Sequence, residues 1–172
     1  MDYEEYFEQM GTDTAGRYDI SPLFGDADTF AALRTDLCAG VDSEPTVVVG
    51  IDALGFVLGS AVATEMSVGF VPVRQGGKLP YPDDELLRRD ITDYSEDAKS
   101  LELHPDELDV DDRALVVDDW IETGTQMRAA TDLVESAGAS VVAVAAIRAH
   151  RNEGTKPLFE RYDVHALRTG AE

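Results

Sequence analysis

Four apolar residues, Ala114-Leu-Val-Val117, run directly into two adjacent acids, Asp118 and Asp119, and then into Glu122-Thr-Gly-Thr125. An apolar run of this length reads as a strand buried on both faces. Beyond the glycine, Met127, Ala130, Leu133, Val134 and Ala137 recur at helical spacing. A buried strand that ends on acids and turns at a glycine into a helix calls for an α/β layer with a mostly parallel central sheet flanked by helices. The same order builds a place for a sugar phosphate. The N–H groups opening the helix point at an anion, and the helix dipole favours negative charge there. Carboxylates at a strand tip accept hydrogen bonds from vicinal hydroxyls, and ligands of open α/β sheets sit outside the carboxyl ends of the strands.

The rest of the chain carries the same alternation. Residues 1–15 read as a short acidic helix with aromatics, and Asp19-Ile-Ser-Pro-Leu-Phe-Gly-Asp26 reads as a loop. A helix is expected over about 28–40, capped by Asp28 or Thr29 and stopped by Gly40. Thr46–Gly50 is a buried strand, about 55–67 a buried helix, and 69–74 another strand in which Pro72 marks an edge or irregularity. Residues 75–109 are turn-rich and polar, a long excursion of the kind that forms lids, with 79–102 as its mobile hood. After the helix at about 125–137 come a strand over 140–147 and a short one over 164–167. The 172 residues fit one domain, residues 1–172.

Charge bounds the partners. Acids number 35 against 14 bases, a net charge of −21, and they are scattered along a chain that is 44% hydrophobic. Such a domain repels itself in dilute salt and is screened in concentrated salt. It reads as adapted to a salt-rich, halophilic cytoplasm, with an ordinary acidic protein as the alternative. Bulk charge disfavours nucleic acid as a partner. No apolar run approaches the roughly 18 residues of a membrane helix, so a cytoplasmic protein with no membrane partner is expected. Cys38, the single cysteine, reads as a small core residue. His104, His150 and His165 lack metal-ligand spacing, and no protein-held metal is expected.

Several blocks in order resemble the type I phosphoribosyltransferases of the purine salvage branch. Val116-Val-Asp-Asp-Trp-Ile-Glu-Thr-Gly-Thr125 resembles their acidic-pair signature. Asp19-Ile-Ser-Pro-Leu23, Val49-Gly-Ile-Asp-Ala-Leu-Gly-Phe56, Val71-Pro-Val-Arg-Gln-Gly-Gly-Lys-Leu-Pro80 and Leu101-Glu-Leu-His104 are similar to segments of the adenine phosphoribosyltransferases. The likeness covers about residues 17–168. It implies an enzyme that joins a free purine base to 5-phosphoribosyl 1-pyrophosphate, releasing pyrophosphate. It implies that Asp118 and Asp119 hold the ribose hydroxyls and that Glu122, Thr123, Gly124, Thr125 and Gln126 wrap the 5-phosphate. It further implies that Asp52, Ala53, Leu54 and Gly55 form the pyrophosphate loop and that Arg74 and Lys78 neutralise the leaving group. Mg²⁺ is the implied cofactor, carried by the substrate's oxygens, and a homodimer the implied assembly.

Departures from the family pattern shape the finer expectations. Leu54 and Gln75 stand where adenine enzymes carry Arg and Lys, Gln126 replaces the closing Thr, and Arg17-Tyr18 replaces Phe-Arg. Lost cations leave open a non-catalytic sensor that binds the sugar phosphate or a purine. Glu122 stands where adenine enzymes usually have Ala and 6-oxopurine enzymes Asp. It reads as a proton acceptor at the purine, which favours a 6-oxopurine, or as a solvated acid at a helix start. Tyr18 and Trp120 are candidates for stacking on the base, with core or dimer contact as the alternative for Trp120.

Overall fold

The computed structural model describes residues 1–12, 18–91 and 99–170. The chain enters through α1 (Tyr3–Phe7), the short pair β1 (Gly11–Thr12) and β2 (Tyr18–Asp19), and two helices, α2 (Ser21–Gly25) and α3 (Ala27–Ala39). β3 (Val47–Ile51), α4 (Leu54–Met66) and β4 (Gly69–Gln75) form the first crossover unit. A hairpin of β5 (Leu87–Ile91) and β6 (Lys99–Leu103) follows. Then come β7 (Arg113–Val117), β8 (Trp120–Ile121), α5 (Thr125–Ser136), β9 (Ser140–His150), α6 (Lys156–Arg161) and β10 (Asp163–Gly170).

The main sheet has the order β10-β9-β7-β3-β4-β6-β5, with β8 paired to β9. β10, β9, β7, β3 and β4 run parallel, and β6 and β5 close one edge antiparallel. β3 lies between β4 and β7, and all five of its residues are buried. Val47, Val49 and Ile51 point to the face covered by α5, and Val48 points to the face covered by α3 and α4. The period of two along a pleated strand therefore feeds two separate apolar layers.

Most expected elements are present, with several differences. The segment read as a loop over 19–26 contains α2, which Pro22 suits because proline is tolerated in the first helical turn. α3 starts earlier, because the Asp26 carboxylate accepts from Thr29 N at 2.8 Å and so caps the helix instead of Asp28 or Thr29. β9 continues past Ile147 to His150, and β10 spans eight residues. Within the turn-rich excursion read over 75–109 the chain forms two strands, β5 and β6, paired to each other and, through β6, to the end of β4. Ile91, Leu101 and Leu103 are buried in the layer that includes α5, and Arg88 lies opposite Glu102, donating to its fully buried carboxylate at 2.8 Å. Of the hood segment, residues 92–98 lie outside the described residues, as does Arg17. Pro72 sits at an edge in the expected sense, since β6 joins β4 only from Arg74 onward.

Candidate active site

β7 delivers Asp118 and Asp119 to the carboxyl edge of the sheet. Asp118 is only 3% exposed. Its Oδ1 accepts from Asp119 N at 3.0 Å and its Oδ2 from the Gln126 amide at 2.9 Å. Burial pushes the Asp118 carboxyl well above the ordinary carboxylate range, and the neighbouring Asp119 charge adds to that. Burial raises Asp119 as well. Asp119 is the more accessible of the two, so it presents the freer oxygens to a ligand.

The turn after β8 opens α5. Gly124 takes the left-handed conformation, φ 75°, which glycine adopts without a Cβ penalty. No side chain caps α5 and no acid lies in its first turn, although one residue in five of this chain is acidic. Thr125 N makes only a long bond to Thr123 Oγ1, at 3.4 Å, so the dipole and the other N–H groups at this helix start remain available to an anion. Asp118, Asp119, Trp120, Glu122, Thr123, Gly124, Thr125 and Gln126 line one cleft of about 580 Å³, with Ile91, Ile121 and Met127. The structure therefore brings together the acid pair, the turn and one aromatic candidate. Glu122 is exposed and its carboxylate has no partner among the described residues.

Tyr18 stacks on Trp120, with ring centroids 5.8 Å apart and planes 14° from parallel. Phe7 packs tilted against Tyr18, with ring centroids 5.0 Å apart, and the Arg148 guanidinium sits 5.8 Å from the Trp120 ring. The two proposed base-stacking residues are thus neighbours beside the acid pair.

The basic and loop candidates are placed differently. Asp52 and Ala53 form a tight turn, joined by a cis peptide, and Leu54 and Gly55 already belong to α4. Gly55 lies against the acid pair, since a Cβ there would stand 2.7 Å from Val117 O and 3.1 Å from Asp118 Oδ1. The half-buried Leu54 side chain packs against the apolar layer of α3 and α4. Arg74 donates from Nε to Asp52 at 3.2 Å and lies over Phe56. Arg74 and the exposed Lys78 stand outside the lining of the cleft. Among the described residues no group of three or more His, Cys, Asp or Glu could hold a metal ion. Asp119 offers a partly exposed hard-oxygen ligand of the kind Mg²⁺ accepts.

Sequence reasoning missed one group. Asn152, Gly154 and Thr155, in the turn before α6, pack directly on the Glu122–Thr125 turn. Asn-Glu-Gly-Thr reads as an ordinary turn, and nothing local to it points to a segment 30 residues away. Arg148 was likewise not assigned, since its role rests on the extension of β9 alongside β8.

An open α/β sheet with acids at a central strand tip, an uncapped helix start and a cleft between them defines a binder of phosphorylated sugars. The comparisons agree. The phosphoribosyl transferase domain family matches residues 23–167. The chain is 40% identical to the adenine phosphoribosyltransferase of Nitrosococcus oceani over 151 residues, 87% of this chain and 85% of that protein. It is 41% identical to the enzyme of the same name from Kineococcus radiotolerans over 153 residues, 88% of this chain and 80% of that one. The crystal structure of adenine phosphoribosyltransferase from Rhodothermus marinus superposes with a TM-score of 0.85 at 32% identity, covering 98% and 97% of the two chains. The chain belongs to the type I phosphoribosyltransferases and is adenine-phosphoribosyltransferase-like, a pentosyltransferase.

Proposed function

We propose that this enzyme acts in purine salvage, transferring the phosphoribosyl group of 5-phosphoribosyl 1-pyrophosphate to adenine and yielding a nucleoside monophosphate and pyrophosphate. The carrying observation is the single cleft shared by the acid pair, the start of α5 and Trp120. Adenine is preferred to a 6-oxopurine because the related enzymes above are adenine enzymes. That replaces the 6-oxopurine preference drawn from Glu122 alone, whose carboxylate no described residue holds in place.

In this reading Asp119 accepts hydrogen bonds from the ribose hydroxyls, and Asp118, anchored by Gln126, fixes its neighbour. Thr123, Gly124 and Thr125 surround the 5-phosphate through their N–H groups. Tyr18 and Trp120 stack on the purine. The bond between carbon 1 and the pyrophosphate oxygen breaks, the bond from the base N9 to carbon 1 forms, and the N9 proton is lost, with Glu122 as its acceptor. The transition state is cationic at the sugar, so the more accessible Asp119 carboxylate stabilises the developing charge. Arg74, held by Asp52, and Lys78 face the leaving group once the β4–β5 segment closes over it. Mg²⁺, when bound with the substrate, offsets the pyrophosphate charge. The chain acts as one domain, in the cytoplasm, as a homodimer.

A second reading has a specific observation behind it. Leu54, half-buried against apolar packing, carries no charge and Arg74 is already paired, which leaves little free cation for the leaving group. That favours a sensor that binds the sugar phosphate without turnover. Purified protein in molar KCl with Mg²⁺ and 5-phosphoribosyl 1-pyrophosphate, given adenine, hypoxanthine, guanine or xanthine in turn, separates the readings by pyrophosphate release. Turnover with adenine is expected. Turnover confined to a 6-oxopurine overturns the choice of base, and tight sugar-phosphate binding with no turnover selects the sensor.

A further inference from the structure

We infer that Asn152 is a positioning residue for the phosphate cup, setting the direction of the Thr123–Thr125 N–H groups through the Glu122 carbonyl. This rests on the phosphoribosyl-transfer reading above and adds a residue to it.

The turn between β9 and α6 is closed upon itself. Thr155, fully buried, donates its hydroxyl to His150 O at 2.7 Å and accepts from Asn152 N at 3.0 Å. Asn152 Oδ1 accepts from both Gly154 N and Thr155 N, at 3.0 and 3.1 Å. Arg151 N donates to Gly170 O of β10 at 2.8 Å, which fixes the start of the turn to the sheet. Every one of these bonds stays inside the turn or ties it to the sheet edge. The Asn152 amide nitrogen reaches out, donating to Glu122 O at 2.7 Å across the gap to the other turn.

Contact reinforces that bond. A Cβ on Gly154 would stand 2.4 Å from Thr123 O, and one on Gly124 would stand 3.0 Å from Gly154 O and 3.2 Å from Thr155. The two turns therefore meet chiefly backbone to backbone, with the Thr155 methyl also against Gly124. Among the described residues Glu122, Thr123 and Gly124 have no strand neighbour, and Gly124 stands at the very start of α5. Something outside the helix must hold their peptide planes if the N–H groups are to converge on a phosphate. The self-closed turn is rigid, and Asn152 transmits that rigidity to the cup. Second-layer contacts of this kind matter because a small misorientation of donors is costly to binding and catalysis.

The test uses ribose 5-phosphate as the probe and charge-neutral variants, so that no added charge meets the phosphate. Asn152→Ser keeps an oxygen for the Gly154 and Thr155 N–H groups but cannot reach Glu122. Gly154→Ala keeps Asn152 but pushes on Thr123 O. Each variant is expected to bind ribose 5-phosphate about tenfold more weakly by calorimetry, the scale of one lost hydrogen bond. In steady state KM for 5-phosphoribosyl 1-pyrophosphate rises with kcat and the KM for the base unchanged, since the phosphate is gripped alike in ground and transition states. Parent-like affinity in a folded Asn152→Ser protein overturns the inference. So does a loss that affects the base equally or follows the melting temperature, or a failure of both variants to fold, since the turn is then only a structural element. A parent chain that binds no ribose 5-phosphate overturns the enzymatic reading itself, and this inference with it.

Discussion

Asp118 carries the main conflict of the molecule at the residue scale. It is buried beside a second acid, and both carboxyls are raised by burial. The folded state holds this proton more tightly than the unfolded chain does. Folding stability therefore falls as pH rises from the ordinary carboxylate range through the raised value. Asp118→Asn removes that loss. It keeps an acceptor for Asp119 N, and the Gln126 amide satisfies the new NH₂ by turning over. In molar KCl the variant is expected to exceed the parent in stability by on the order of 1 kcal/mol near neutral pH. The advantage should vanish as pH falls to about 4. Thermal unfolding across pH checks this, and a gap independent of pH would refute it. The acid pair was legible because an apolar strand leads into it. The Gln126–Asp118 bond was not, because a long amide in the first turn of a helix reads equally well toward a phosphate or back toward the strand.

At the scale of elements, the β7–turn–α5 unit was legible because its signals are local: a buried run, a glycine, then apolar residues at helical period. The β5–β6 hairpin was not. Leu87-Arg-Arg-Asp-Ile91 places charges at its centre, and only pairing with β6 shows that Arg88 is held by a buried Glu102 while Ile91 enters the core. Strand identity there is a tertiary outcome. The α5 start allows a controlled comparison. Gly124 and Gly138 both have positive φ, at 75° and 104°. Only Gly124 faces another turn; a Cβ on Gly138 meets nothing within 4 Å. Alanine at either position should cost roughly 1 kcal/mol or more of stability from backbone strain. Only Gly124→Ala should also weaken ribose 5-phosphate binding. Equal ligand affinity in the two variants would show that the α5 start does not hold the phosphate.

For the molecule as a whole, the topology explains why distant segments share one cleft. β3 and β7 lie side by side at the centre of the sheet, so the α4 start, the acid pair and the α5 start all emerge at one edge. The N-terminal segment brings Tyr18 onto Trp120 at that same edge. A net charge of −21 surrounds a cleft meant for an anionic substrate, so binding is measured in concentrated salt, where that field is screened. No described helix is long and apolar enough to cross a membrane. The most direct measurement of the account is calorimetric titration of Mg²⁺ and 5-phosphoribosyl 1-pyrophosphate into the parent chain and Asp119→Asn, in molar KCl. The account predicts binding by the parent and a loss of at least about tenfold in the variant, as expected for one charged hydrogen-bond acceptor. Equal affinity in the two proteins would contradict it, because the acid pair would then not be what holds the sugar.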